Sequence, residues 1–255
     1  MSFFYQLTMI KINQKNKLMK PEAVIFDTDN TLFPYHKAHE RAIRAAAKKA
    51  NNHLGISTKD FISALELSKK EIKKNLGSTG SSHSRLLYFQ RTLERLGFGT
   101  QILFSLDLEQ TYWREFLTST SLFPGVLDFV KLLKSQKIII ANVTDLTAQI
   151  QFRKVVYFGL DQFIDFVVTS EESGSDKPNP RSFEIALEKL NINPTSIWMI
   201  GDSYDADIFG ALKFNMTTLH FNNNLFSKQS SLLADIEFNS YDELILFFQK
   251  EYRNE

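Results

Sequence analysis

The chain has 255 residues, 43% of them hydrophobic and 23% charged, with a formal net charge of +1. That length fits one large domain or a core carrying a smaller insertion, and the near-neutral balance excludes a global field for nucleic acid or a membrane surface. The absence of cysteine excludes disulfides, thiolate metal sites and cysteine nucleophiles.

Residues 1–20 read as a preamble. Phe3, Phe4 and Tyr5 are apolar, but Gln6, Thr8 and Lys11 interrupt the run, and the pattern of a signal peptide is missing. Met9 and Met19 stand as further candidate starts. No stretch approaches the roughly 18 apolar residues of a membrane span, so the reading is cytoplasmic. Ala23–Phe26 is a short apolar run suited to a strand buried on both faces, and it leads into Asp27-Thr28-Asp29-Asn30-Thr31-Leu32.

Residues 36–119 then show helical periodicity and no clear strand. The stretches are Lys37–Asn52, Thr58–Leu76, His83–Leu96 and Gln101–Thr118, with Gly77–Ser82 as a flexible linker. Tyr88, Phe89, Tyr112, Trp113 and Phe116 recur at helical spacing and suit the core of this helical unit. From Ser121 onward strands and helices alternate. Helix Gly125–Lys134 precedes strand Ile138–Ala141, and helix Leu146–Tyr157 precedes strand Phe166–Val168. A polar loop through Lys177 leads to helix Pro180–Leu190. Strand Ile197–Ile200, helix Tyr204–Phe214 and a weaker strand, Thr217–Leu219, come next, and the Asn222-Asn223-Asn224 run suits a surface loop. This alternation predicts an α/β fold: a Rossmann-like, doubly wound parallel sheet as core (residues 21–35 and 120–255) with an inserted α-helical cap domain (36–119).

Ligands of such sheets bind beyond the carboxyl ends of the strands, where the polar loops fall. Asp27 and Asp29 lie two apart after a strand, so in extended chain both carboxylates face one pocket, and their repulsion favours a bound cation. An Asx-type turn is the bland alternative. Asp202, Asp205 and Asp207 crowd a helix start; capping explains one such residue better than three. Lys177 in a Pro/Gly loop has a plain reading as a solvated lysine. Thr144, after the Ile138 strand, has a hydroxyl suited to an anion.

Taken in order, these four signals resemble those of the haloacid dehalogenase-like superfamily. Asp27 to Thr31 looks like its aspartate-x-aspartate-x-threonine motif, Thr144 like its second, and Lys177 in Lys-Pro-x-Pro like its third. Gly201-Asp202, with four residues before Asp207, looks like its fourth. The likeness spans about residues 21–221. Thr28 and Asp145 depart from the family pattern, where a large apolar residue and an asparagine are usual. Family spacing favours Asp207 over Asp205 for the last acidic role.

The resemblance implies a Mg²⁺-dependent phosphatase. Asp27 is expected to be the nucleophile and Asp29 the acid and base, with Thr144 and Lys177 on the phosphate. Metal ligands are expected from Asp27, Asp29 (through its main-chain carbonyl) and Asp202, with Asp207 supporting the site. Cap residues His36, His83 and Arg85 are candidates for specificity, although each also reads as a solvated helix-end residue. The partner implied is a small phosphorylated metabolite, with neither nucleic acid nor membrane, and nothing in the sequence specifies an oligomer. A phosphosugar mutase of the same superfamily, or an inactive binding protein on the same fold, is the alternative.

Overall fold

The computed structural model describes residues 10–12, 18–222 and 234–252. Met1, Phe3, Phe4, Tyr5, Met9, Asn223 and Asn224 lie outside them. Strands β1 (Lys11–Ile12), β2 (Ala23–Phe26), β3 (Ile139–Thr144), β4 (Phe166–Thr169), β5 (Ile197–Gly201), β6 (Thr217–Phe221) and β7 (Ile236–Phe238) form one seven-stranded sheet, ordered β1-β7-β6-β5-β2-β3-β4. All pairs are parallel except β1 with β7, so the sheet is mixed rather than wholly parallel. Those two strands stand outside the sequence-predicted set. β1 is a pair of exposed residues, and β7 is a buried Ile-Glu-Phe triplet too short to show a period.

The central strands are buried on both faces, and alternate residues feed two separate cores. Val24, Phe26, Ile140, Trp198 and Ile200 join one. Ala23, Ile25, Ala141, Val143, Ile197 and Met199 join the other. Helices α5 (Val126–Ser135) and α10 (Tyr241–Tyr252) cover the first face. Helices α8 (Pro180–Leu190) and α9 (Phe209–Leu212) cover the second. Helix α8 starts as its sequence demands, with Asn179 accepting from the Arg181 N–H at 3.0 Å and Pro180 in the first turn, where a missing donor costs little.

Between β2 and α5 stand α1 (His36–Leu54), α2 (Thr58–Leu76), α3 (Arg85–Arg95) and α4 (Ile102–Thr118). A stripe of buried alanines on α1 (Ala38, Ala42, Ala46, Ala47, Ala50) leaves room for the large side chains of α4. Tyr88, Phe89, Tyr112, Trp113 and Phe116 are all buried, as their spacing predicts. The Gly77–Ser82 segment is docked rather than free. Ser78 carbonyl accepts from the Asp176 N–H at 3.0 Å, and a Cβ on Gly80 would stand 2.8 Å from the Glu171 nitrogen.

Candidate active site

Four strand ends, those of β2, β3, β4 and β5, open on one edge of the sheet, and each delivers a polar side chain there. Asp27 extends the β2 ladder by one hydrogen bond, its N–H to the Ile200 carbonyl at 2.9 Å. The chain then turns through Asn30, whose φ of 63° is left-handed, a conformation asparagine tolerates better than most residues. The turn folds Thr31 back, and its hydroxyl donates to Asp27 Oδ2 at 2.9 Å.

Lys177 reaches this point from the loop after β4. Its ammonium donates to Asp27 Oδ1 at 2.6 Å, to Asp207 Oδ1 at 2.7 Å and to the Val143 carbonyl at 2.8 Å. Burial alone would depress this lysine, but the charges of Asp207 and Asp27 more than offset it and hold it well above its ordinary value. Asp207 also accepts from the Ser203 N–H at 3.1 Å. It sits in a single π-turn, Tyr204–Ile208, ahead of α9. The carboxyl lies so close to the main chain that a Cβ on Gly201 would fall 2.2 Å from Asp207 Oδ2. Asp205, on the same turn, is exposed.

Carboxylate oxygens of Asp27, Asp202 and Asp207 lie within 4.8 Å of one another. Burial first, and then the negative charge of Asp27 and Asp207, raises Asp202 above the ordinary carboxylate range. Asp207 is raised by burial and by Asp27, against the pull of Lys177. Crowded, partly dehydrated carboxylates of this kind fit a small hard cation that takes oxygen ligands, such as Mg²⁺.

A sequence model of the haloacid dehalogenase-like hydrolases matches residues 21–215. The chain belongs to that family. A ribulose-1,5-bisphosphate 5-phosphatase of Halopiger xanaduensis is 36% identical over 201 residues, 78% of this chain and 84% of its own length. A glyceraldehyde 3-phosphate phosphatase of Methanopyrus kandleri is 31% identical over 202 residues, 78% of this chain and 82% of its own. In fold the chain resembles a HAD phosphatase from Thermococcus onnurineus, with a TM-score of 0.66 at 23% identity, covering 90% of this chain and 97% of that one. The family's phosphatase branch is where this chain falls, and it is an enzyme.

Against the four expected motifs of a haloacid dehalogenase-like hydrolase, one carboxylate departs. Asp29 and Asp27 were expected to share a cation, but Asp29 turns to Lys154 of α6 (Ala148–Tyr157), with Nζ–O distances of 2.7 and 2.9 Å. Among the described residues it is Asp207, not the Asp29 side chain, that completes the carboxylate group. Lys154 was missed because a lone lysine on a helix reads as a solvated side chain. Here it is 1% exposed, with its Nζ 5.6–5.7 Å from the ring centres of Phe33, Trp113 and Phe116. Burial lowers it from its ordinary value, and the charge of Asp29 opposes that shift.

The remaining expected residues occupy two places. Thr144 is buried at the end of β3, and its hydroxyl accepts from Gln151 Nε2 at 2.9 Å. Asp145 does not hang free. Its Oδ1 accepts from the Lys177 N–H at 2.9 Å and the Ser170 hydroxyl at 3.0 Å, so it fastens the lysine loop. Of the cap residues, His36 is exposed beside Asn30, at 3.4 Å, and His83 Nε2 meets Asp176 Oδ2 at 2.9 Å. Arg85 is buried, where its helix-end position had suggested solvent; its Nη1 donates to the His83 carbonyl at 2.7 Å and its Nη2 to the Tyr35 hydroxyl.

Proposed function

We propose that the chain hydrolyses the phosphate monoester of a small sugar, through an aspartyl-phosphate on Asp27 and with Mg²⁺ as cofactor. The single observation that carries this reading is the convergence of Asp27, Lys177, Asp202 and Asp207 at one sheet edge. The names of the relatives, both phosphatases of phosphorylated sugars, support the substrate class. The reading includes residues 36–119 as a cap over a core of 21–35 and 120–255, and a cytoplasmic location. No described helix is long and apolar enough to cross a membrane.

The chain's own residues divide the chemistry. Asp27 needs no activating base, because a carboxylate is ionised at neutral pH. One of its oxygens forms the bond to phosphorus while the ester oxygen leaves with a proton from Asp29. Asp29 then takes a proton from water, which attacks phosphorus, releases phosphate and restores Asp27. Lys177 offsets the negative charge that gathers as phosphate approaches a carboxylate. Thr144 contributes a hydroxyl on the phosphate side. Asp27 and Asp202, with the Asp29 main-chain carbonyl, would hold Mg²⁺, and Asp207 would keep Lys177 and the cation together. The bound cation supplies positive charge against the phosphate oxygens.

Phosphate release from p-nitrophenyl phosphate with Mg²⁺ tests the reading. The unmodified protein is expected to turn over, and Asp27→Asn to lose at least about a thousandfold in kcat, the scale of removing a nucleophile. An Asp27→Asn protein that keeps most of its activity would eliminate the nucleophile assignment.

A further inference from the structure

The helical cap carries a cavity of about 270 Å³. Its wall carries Lys69, Lys73, Arg85 and three histidines, with Glu66 as the one carboxylate among its lining residues. Two wall residues tie it to the catalytic loops. His36 meets Asn30, next to Asp29, and His83 meets Asp176, next to Lys177.

Arg85 is the anomaly. It is 7% exposed, and its guanidinium lies 5.2–5.8 Å from the ring centres of Trp113, Tyr112 and Tyr88. Among the described residues it has no carboxylate partner, and its Nε–H finds no acceptor. A buried cation with only a carbonyl and neutral aromatic groups beside it is costly unless an anion is supplied. Nearby groups register the excess of positive charge. Burial, then Lys69 and Arg85, lowers Lys73. His39 is pushed down to about 3 by burial and then by Arg85 and Lys69, and so stays neutral. Glu66 sits only 3.9 Å from Lys69, on the same helix, and the charges of Asp176 and Asp145 partly oppose the shift of Lys73, so Arg85 is the wall cation that the carboxylates do not answer.

We propose that this cavity is an anion subsite for the second phosphate of a substrate phosphorylated at both ends. One phosphate meets Asp27 while the other neutralises Arg85 and Lys73. The inference rests on the phosphatase reading above and adds the charge pattern of the substrate. Phosphate is favoured over a carboxylate because three cations and one carboxylate line the cavity, and a dianion matches that excess better than a single charge.

Three probes separate the outcomes on the Mg²⁺-loaded full-length protein: pentane-1,5-diol bisphosphate, 5-hydroxypentyl phosphate and 5-(phosphonooxy)pentanoate. The bisphosphate is expected to exceed the hydroxy compound in kcat/KM by about tenfold or more, the scale of one hydrogen bond to a charged group. Lys73→Gln, at an exposed position that keeps the fold testable, is expected to cut that preference about threefold or more. Arg85→Gln should abolish it, with circular dichroism reporting whether that variant folds. Equal rates on the bisphosphate and the hydroxy compound, or a preference untouched by Lys73→Gln, would overturn the subsite. A carboxylate probe that equals the bisphosphate would overturn its assignment to phosphate. Calorimetric binding of pentane-1,5-bisphosphonate against pentylphosphonate reads the subsite without turnover, and equal affinities overturn it too. Absence of phosphate release from every probe counts against the phosphatase reading, and calorimetry then decides the subsite by itself.

Discussion

At the scale of single residues, the contact between Lys154 and Asp29 has the most consequence for the proposed chemistry. A lysine 1% exposed and facing three aromatic rings is held there by one carboxylate, and that carboxylate is held in turn. Lys154→Met fills a similar volume but leaves Asp29 without its cation. The expected result is a fall in kcat of about tenfold to a hundredfold on p-nitrophenyl phosphate, from losing a hydrogen bond between charged groups, with KM nearly unchanged. A matched rise in KM with kcat preserved would assign Lys154 to binding instead. The carboxylate group makes a second prediction. Asp202 and Asp207 have folded-state values above the ordinary carboxylate range, so the folded state binds more protons than the unfolded one as pH rises out of that range. Their contribution to stability is therefore lost as pH rises toward neutrality. A cation binds the ionised form, so the Mg²⁺-induced rise in Tm should be larger near pH 8 than near pH 5. An equal rise at both, read by scanning calorimetry, would count against these carboxylates as the metal site.

At the scale of elements, the strand ends and the turns after them decide where the charges go. The β5 end is the tightest. Gly201 is required because the Asp207 carboxyl fills the space a side chain would occupy, 2.2 Å from an added Cβ. Gly201→Ala must displace Asp207 and, through it, Lys177. We expect Mg²⁺ affinity to fall about tenfold or more, by the magnitude seen when groups supporting metal ligands are lost, measured as the Mg²⁺ dependence of turnover; unchanged dependence would show that the turn gives way at no cost. The helical cap obeys different logic. Its aromatic face was legible from spacing because a helix buries one side at a fixed period, whereas the alanine stripe of α1 emerged only in the fold. Its docking through Ser78 and Gly80 was not, since a Gly/Ser run carries no periodic signal and reads as a loose linker.

At the scale of the whole molecule, one sheet carries two cores and a cap, and its outer layer includes a helix no motif announces. Helix α10 lays Phe248 and Tyr252 against Trp198, with ring centres 5.9 and 6.0 Å away. Phe248→Ala should cost about 3–5 kcal/mol of stability in urea unfolding, with kcat per folded molecule retained because Phe248 is remote from the carboxylates; a cost below about 1 kcal/mol would mean the α10 face is dispensable. The amino-acid sequence alone determined the alternation of strand and helix, the helical character of residues 36–119, and the order in which Asp27, Thr144, Lys177 and Asp202 occur. These are local or repeating signals, set by burial period and by the residues at the end of each strand. Tertiary structure alone decided that Asp29 pairs with Lys154, 125 positions away, that the Asp207 carboxylate rather than that of Asp29 gathers with Asp27 and Asp202, that Asp145 fastens the Lys177 loop, and that β1 and β7 close one edge of the sheet. Each of those depends on which distant segments the folded chain brings side by side, and no periodicity within a segment encodes that.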